Sequence, residues 1–189
     1  MIHDLPRRPF VLIRHGQTDA NRDGIIAGRL DAMLTEKGRA AAMSLATMTW
    51  PGPIRVFSSP QTRARDTAAL AFPGRQATLI EDLRERHWGI HEGQPVAAIP
   101  PRESTPEGGE SWDDINARVA RAIRQAHLLA GDALPVMVAH SGVIRVVRHL
   151  AFGQIQAPSA ANTTPYLYRF ENGQWHESLL DPAMNGNRP

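Results

Sequence analysis

Two stretches of this chain, Phe10-Val11-Leu12-Ile13 and Val136-Met137-Val138-Ala139, are apolar at every position, and each is closed by a histidine and a glycine turn, Arg14-His15-Gly16 and His140-Ser141-Gly142. A strand with one wet face alternates polar and apolar residues, whereas a strand covered on both faces does not. The two runs therefore predict buried strands at the centre of a sheet, with helices on both sides. Their matching ends suggest two strand termini meeting to hold one anion between two imidazoles.

The intervening chain fits that frame. Thr35 precedes an alanine-rich helical run that ends at Met48, before Pro51 and Gly52. Ile54 to Phe57 is the next strand. Gln61 to Ala71 carries Ala64, Thr67, Ala68 and Ala71 at helical spacing and stops at Pro73 and Gly74. Thr78 to Ile80 reads as a short strand. Ser111 to Leu129 is the longest amphipathic pattern, with Ile115, Val119, Ala122, Ile123 and Ala126 on one face. Gly142 to Phe152 reads as a further helix. Tyr166 to Phe170 and Trp175 to Leu180, split by Glu171-Asn172-Gly173, read as a terminal hairpin. This alternation predicts an α/β fold, a three-layer α/β/α sandwich with a mostly parallel central sheet. Ligands collect at the carboxyl ends of strands in such sheets. Arg14-His15-Gly16, Ser58-Ser59-Pro60 leading to Arg63, Asp82 to Glu85, and His140-Ser141-Gly142 are thus expected to converge on one pocket.

Composition narrows the chemistry. A chain of 189 residues with 42% hydrophobic content is expected to form a single domain over residues 1–189. It has no cysteine, so thiolate nucleophiles, disulfides and Cys-ligated zinc are excluded, and a cytoplasmic protein is the expectation. Met1 to Arg8 is polar, and the apolar run after it is too short for a signal peptide or membrane span. No HExxH-type zinc spacing occurs. The pI of about 9.6 against a net charge of only +2 reflects arginine usage, Lys37 being the sole lysine. The arginines are scattered rather than massed, so no nucleic-acid partner is expected.

Order and spacing carry the chain further. Arg14-His15-Gly16-Gln17-Thr18 is followed by Asn21, by Gly28 and by Leu34-Thr35-Glu36-Lys37-Gly38. Ser58-Ser59-Pro60-Gln61-Thr62-Arg63-Ala64 precedes Asp66-Thr67-Ala68. Glu85, Gly89, Glu92 and Gly93 come next, then Gly108-Gly109-Glu110-Ser111, and finally His140-Ser141-Gly142-Val143-Ile144-Arg145. In this order the chain resembles the histidine phosphatase superfamily, the phosphoglycerate mutase-like family, from Phe10 to about Leu150. The resemblance implies that His15 is a nucleophile taking up a phosphoryl group. It implies further that Arg14 and Arg63 clamp the phosphate oxygens, that His140 donates to one of them, and that Glu85 carries the proton of the leaving oxygen. Gln17, Asn21, Gly28, Ser141 and Gly142 are the implied substrate- and phosphate-binding positions. No cofactor and no metal are implied, because the arginine and histidine cluster supplies the positive charge.

The chain also departs from that family. Gln17 stands where many relatives carry glutamate. Between Glu92 and Glu110 relatives place an extra helical segment over the substrate, whereas here a short, proline-broken lid, about residues 92–110, predicts a comparatively open pocket. Contacts beyond the phosphate are then few, which favours hydrolysis over mutation, since a mutase must keep water from its phosphohistidine. The expected function is a phosphomonoester hydrolase of broad or unknown specificity, acting through a phosphohistidine intermediate on a small phosphorylated metabolite, without membrane partner and with a homodimer left open. The alternatives are a phosphoglycerate mutase, a protein phosphohistidine phosphatase, and a non-catalytic phosphate-binding module. His87, His91, His127, His149, His176 and Arg145 are read as structural or surface residues, and Trp88 as packing beside Glu85.

Overall fold

The apolar runs become strands whose alternate residues enter two separate cores. A computed structural model describes residues 4–180; residues 1–3 and 181–189 of the expected unit lie outside the described residues. The strands are β1 (Phe10–Arg14), β2 (Ile54–Ser58), β3 (Thr78–Leu79), β4 (Leu134–Ala139), β5 (Pro165–Glu171) and β6 (Gln174–Leu179), and the helices are α1 (Asp19–Arg22), α2 (Glu36–Ser44), α3 (Thr62–Ala71), α4 (Trp112–Ala130) and α5 (Ser141–Phe152). The sheet order is β3-β2-β4-β1-β5-β6. From β3 to β1 neighbouring strands are parallel, and the β5–β6 hairpin adds an antiparallel edge beyond β1, so the sheet is mixed.

Phe10, Leu12, Phe57, Met137 and Ala139 share one core cluster with Ile115, Val119 and Ile123 of α4 and Val143 and Val147 of α5. Val11, Ile13, Val56, Val136 and Val138 face the other way, joining Ala64, Ala68 and Ala71 of α3 and Leu45 and Met48 after α2. Each fully buried Leu, Ile, Val or Phe contributes roughly 1.5–3 kcal/mol. The doubly buried strands are therefore what fixes the three layers. The fold is α/β with helices on both faces of the sheet, as expected.

Local chemistry sets the ends. Thr35 and Ser111 cap α2 and α4 through side-chain oxygens that accept from Gly38 and Asp114 backbone N–H groups. The helix expected to run to Met48 stops at Ser44 and tightens into a 3-10 turn over Leu45–Thr47. The Ser44 and Thr47 hydroxyls donate to the carbonyls of Ala41 and Ser44 there, the backbone competition typical of these residues. Among the described residues no helix is long and apolar enough to cross a membrane.

The β1–β4 register pairs Arg14 with Ala139, which puts His15 and His140 side by side where the two strands end. The His15 N–H donates to the Ala139 carbonyl at 3.0 Å, and the two rings lie 5.2 Å apart, tilted by 60°.

Candidate active site

The four segments expected to converge do so. Arg14, His15, Asn21, Gly28, Arg63, Glu85, Ser141 and Gly142 all line one cavity of about 130 Å³. His140 lies behind His15, fully buried, and does not reach the cavity wall. Gln17 is not brought to the cavity: its Oε1 accepts from the Thr35 hydroxyl at 3.0 Å, so this amide braces the start of α2 instead of binding an anion.

His15 is 4% exposed, and its Nδ1 sits 2.8 Å from the Gly16 carbonyl. A carbonyl only accepts, so Nδ1 must carry the hydrogen and Nε2 holds the lone pair. Burial, with the Arg63 and Arg14 guanidiniums beside it, pushes this imidazole well below its ordinary range, so the ring is neutral. His140 is also driven well below that range, first by burial and then by Arg63 and His15. Its Nε2 lies 2.8 Å from the Ser59 hydroxyl, while its Nδ1 is buried without a partner.

The guanidiniums are anchored through backbone carbonyls. Arg14 Nη1 donates to Ala160 at 2.7 Å, and Arg63 Nη1 and Nη2 donate to Leu30 and Gly28 at 2.9 and 2.6 Å. Burial lowers both pKa values and the Glu85 carboxylate opposes that shift. The Nε of each is buried with no partner, as is His140 Nδ1. Two guanidinium donors, and one ring nitrogen of His140, are thus left without partners beside a neutral imidazole. An unmet buried donor costs on the order of 1–3 kcal/mol, which an anion accepting from it would recover.

Glu85 is held from both sides. Its Oε1 accepts from the Arg86 N–H at 2.8 Å and its Oε2 from the Gly142 N–H, in the first turn of α5, at 3.1 Å. Asn21 Oδ1 accepts from the Thr18 N–H at 3.2 Å and from Asn162 Nδ2 at 3.3 Å, which leaves its own amide hydrogens for a ligand. Gly28 takes a left-handed φ of 50°, and a β-carbon there would strike the Glu92 carboxylate, which accepts from the Trp88 and Arg29 N–H groups.

Several contributors were given no site role from the sequence, although Gln61 stands inside one of its motifs. Gln61 joins two site loops, donating to the Gly28 carbonyl at 3.0 Å and accepting from the Glu85 N–H at 2.7 Å. Asn162 donates to the His15 carbonyl at 2.7 Å. Arg86, only 1% exposed, donates to the carbonyls of Arg102, Ser104 and Glu110 and so ties down the lid. The lid itself is not bare: Val96, Ile99 and Arg102 line the cavity with Trp88, which corrects the expectation of few contacts beyond the phosphate end. Arg145 also reaches the wall, although its Nη1 is committed to the Ile155 and Ala157 carbonyls. Among the described residues no cluster of three or more His, Cys, Asp or Glu could hold a metal ion.

Known proteins are similar to this chain in sequence and fold. The family model of the histidine phosphatase superfamily (branch 1) matches residues 10–181. The 2,3-bisphosphoglycerate-dependent phosphoglycerate mutase 2 of Gloeobacter violaceus is 30% identical, over 95% of this chain and 94% of its own. The adenosylcobalamin/alpha-ribazole phosphatase of Salmonella typhimurium is 29% identical, over 87% of this chain and 86% of its own. Among solved structures, mycobacterial glucosyl-3-phosphoglycerate phosphatase in complex with VO3 superimposes with a TM-score of 0.75 at 27% identity, covering 91% of this chain and 98% of that one.

Proposed function

The chain belongs to the histidine phosphatase superfamily (branch 1), and from that membership we propose that it is a phosphomonoester hydrolase working through a phosphohistidine on His15, with a small phosphorylated metabolite as substrate. The observation that carries this reading is the pair of unpartnered buried guanidinium N–H donors, Arg14 Nε and Arg63 Nε, on two residues of the cavity wall that also holds the neutral His15 imidazole. A tetrahedral dianion supplies the acceptors that these donors lack.

In the first step the His15 Nε2 lone pair attacks phosphorus and the P–O bond to the alcohol breaks. Glu85 gives its proton to the departing oxygen. Arg14 and Arg63, in the cavity wall, hold equatorial oxygens as charge moves onto them, and His140 stands behind His15 instead of on the phosphate. Glu85, now a carboxylate, then takes a proton from water as that water attacks the phosphohistidine. The P–N bond breaks, inorganic phosphate leaves, and Glu85 is again protonated. No cofactor enters either step. Because burial holds His15 neutral, the nucleophile is available well into mild acid.

The test is hydrolysis of p-nitrophenyl phosphate. His15→Ala should lower turnover by at least ~10³-fold, in line with loss of a covalent nucleophile. Turnover that survives the substitution overturns the mechanism. The mutase relative supplies the second arm: given 3-phosphoglycerate and 2,3-bisphosphoglycerate, the enzyme should release phosphate, and steady formation of 2-phosphoglycerate without it would instead assign a mutase.

A further inference from the structure

One short segment reaches Arg14, His15 and Asn21 together. Residues 160–163 lead towards β5 beside the end of β1, where Asn162 forms a parallel bridge with Arg14. The Ala160 carbonyl accepts from Arg14 Nη1 at 2.7 Å, and the Thr163 N–H donates to the Arg14 carbonyl at 2.8 Å. Between them Asn162 Nδ2 donates to the His15 carbonyl at 2.7 Å and to Asn21 Oδ1 at 3.3 Å. An amide nitrogen carries two hydrogens, so these contacts use both. Asn162 itself is not part of the cavity wall, whereas His15 and Asn21 are. Any effect it has on a ligand passes through them.

The backbone is bent where this contact is made. Thr163 has a φ of 52°, in the left-handed region that a β-branched residue rarely adopts. Strain of this kind persists where neighbouring contacts over-determine it, and it collects at functional sites. Here it follows directly on Asn162, with the Thr163 N–H held on Arg14.

At His15 the result is a peptide gripped at both ends. Asn162 holds its carbonyl, and its N–H, on Gly16, donates to the Thr67 hydroxyl at 2.9 Å. The next carbonyl, that of Gly16, is the one that accepts from the His15 ring. At Asn21 the result concerns polarity. A side-chain amide can present either its carbonyl or its NH2 to a ligand, and a phosphate dianion only accepts. The Thr18 N–H occupies one side of Asn21 Oδ1 at 3.2 Å and Asn162 occupies the other. Turning the Asn21 amide over would set its NH2 against two donors. Its carbonyl therefore stays on the protein, and its NH2 is left for the anion.

We infer that Asn162 is a positioning residue whose one amide locks Asn21 as a donor to the bound anion and fixes the peptide that follows the nucleophile. Its effect on turnover rests on the phosphatase reading. Its effect on anion binding does not.

The probe is inorganic phosphate, titrated calorimetrically at neutral pH, with p-nitrophenyl phosphate hydrolysis measured on the same proteins. Asn162→Ala should weaken phosphate binding by ~2–10-fold, the range for one neutral hydrogen bond, and should lower kcat as well. Asn162→Leu restores volume but no donor, so it should match Asn162→Ala. The deciding step is a double-mutant cycle. In an Asn21→Ala background Asn162→Ala should no longer weaken phosphate binding, because the amide it orients is gone, yet it should still lower kcat through the His15 peptide. A loss of binding of equal size in both backgrounds is what general loosening of the loop gives, and it overturns the inference. So does recovery of binding with leucine, or a kcat that Asn162→Ala leaves unchanged. An Asn21-dependent loss of phosphate binding, in a protein whose wild type hydrolyses nothing, keeps the lock on Asn21 and removes the phosphatase. Hydrolysis that depends on His15, with phosphate binding indifferent to Asn162, does the reverse.

Discussion

At Gly142 the chain has no room for a β-carbon, and the reason is catalytic in the mechanism proposed here. A β-carbon there would meet the Glu85 Oε1 and crowd its Cδ at 3.1 Å, while the Gly142 N–H is what holds Oε2 in place. Alanine is the better helix former by about 1 kcal/mol, so Gly142→Ala should leave the melting temperature unchanged or slightly raised. Turnover should nonetheless fall by ~10²–10⁴-fold, the range for loss of a general acid. The check is non-additivity: in a Glu85→Gln background, Gly142→Ala should cost little more. A full additional loss would mean that the glycine acts through something other than Glu85. The same scale explains Gln17. A polar loop residue beside a catalytic histidine reads as a ligand-binding group, but the nearest hydroxyl, Thr35, claims its amide.

Among the elements, the lid shows how a segment with almost no secondary structure is held. Its one regular turn is the 3-10 piece Val96–Ala98, and the long side chain of Arg86 supplies the rest by donating to three carbonyls. Glu110 closes the far end, pairing with Arg118 of α4, whose guanidinium also donates to the Asp82, Arg84 and Glu85 carbonyls. Lid and acid loop therefore share one framework. Replacing Arg86 by Met leaves three part-buried carbonyls without their donor, at up to about 1 kcal/mol each. Hydrogen exchange should accelerate over residues 96–110 while β1 and β4 keep their protection, and KM should rise more than kcat falls. Faster exchange across the central strands would instead make Arg86 a core residue, not a lid clamp. In the sequence nothing singles out Arg86, because its acceptors lie 16 to 24 residues away and leave no local pattern. The strands were far more legible. Their apolar runs reflect burial on both faces, a property each residue carries by itself.

For the molecule as a whole, acid should be the weak side. His127 sits in the core against Phe10, with neither ring nitrogen hydrogen-bonded, and burial lowers its pKa to about 4. The unfolded chain takes up a proton near the ordinary value of 6.5, so between pH 6.5 and 4 it binds more protons than the folded chain. Stability from this group is complete above about pH 6.5 and is lost as pH falls towards 4. The ring lies one turn from the exposed end of α4, where water screens part of the effect, so about 1–2 kcal/mol is expected. Denaturant titrations at pH 7 and pH 4.5 should show His127→Phe losing that much less than the wild type on acidification. Equal losses would place the acid sensitivity elsewhere, His15 and His140 being the other buried imidazoles held neutral.

The sequence by itself determined the element types and the buried strands, because periodicity and turn chemistry are written along the chain, and its resemblance to a known family singled out the ordered set Arg14, His15, Arg63, Glu85 and His140. It also paired the two histidines through the likeness of their strand ends, which the β1–β4 register then sets side by side. Only the tertiary structure decided which groups surround them. It withdrew Gln17, brought in Asn162, set the partners of Ser59 and Gln61, clamped the lid through Arg86 and left Arg102 alone among the cavity's guanidiniums without a carbonyl. The physical reason is that a guanidinium or amide is committed or free according to which carbonyls surround it. Those carbonyls come from loops that meet only when the strands have packed.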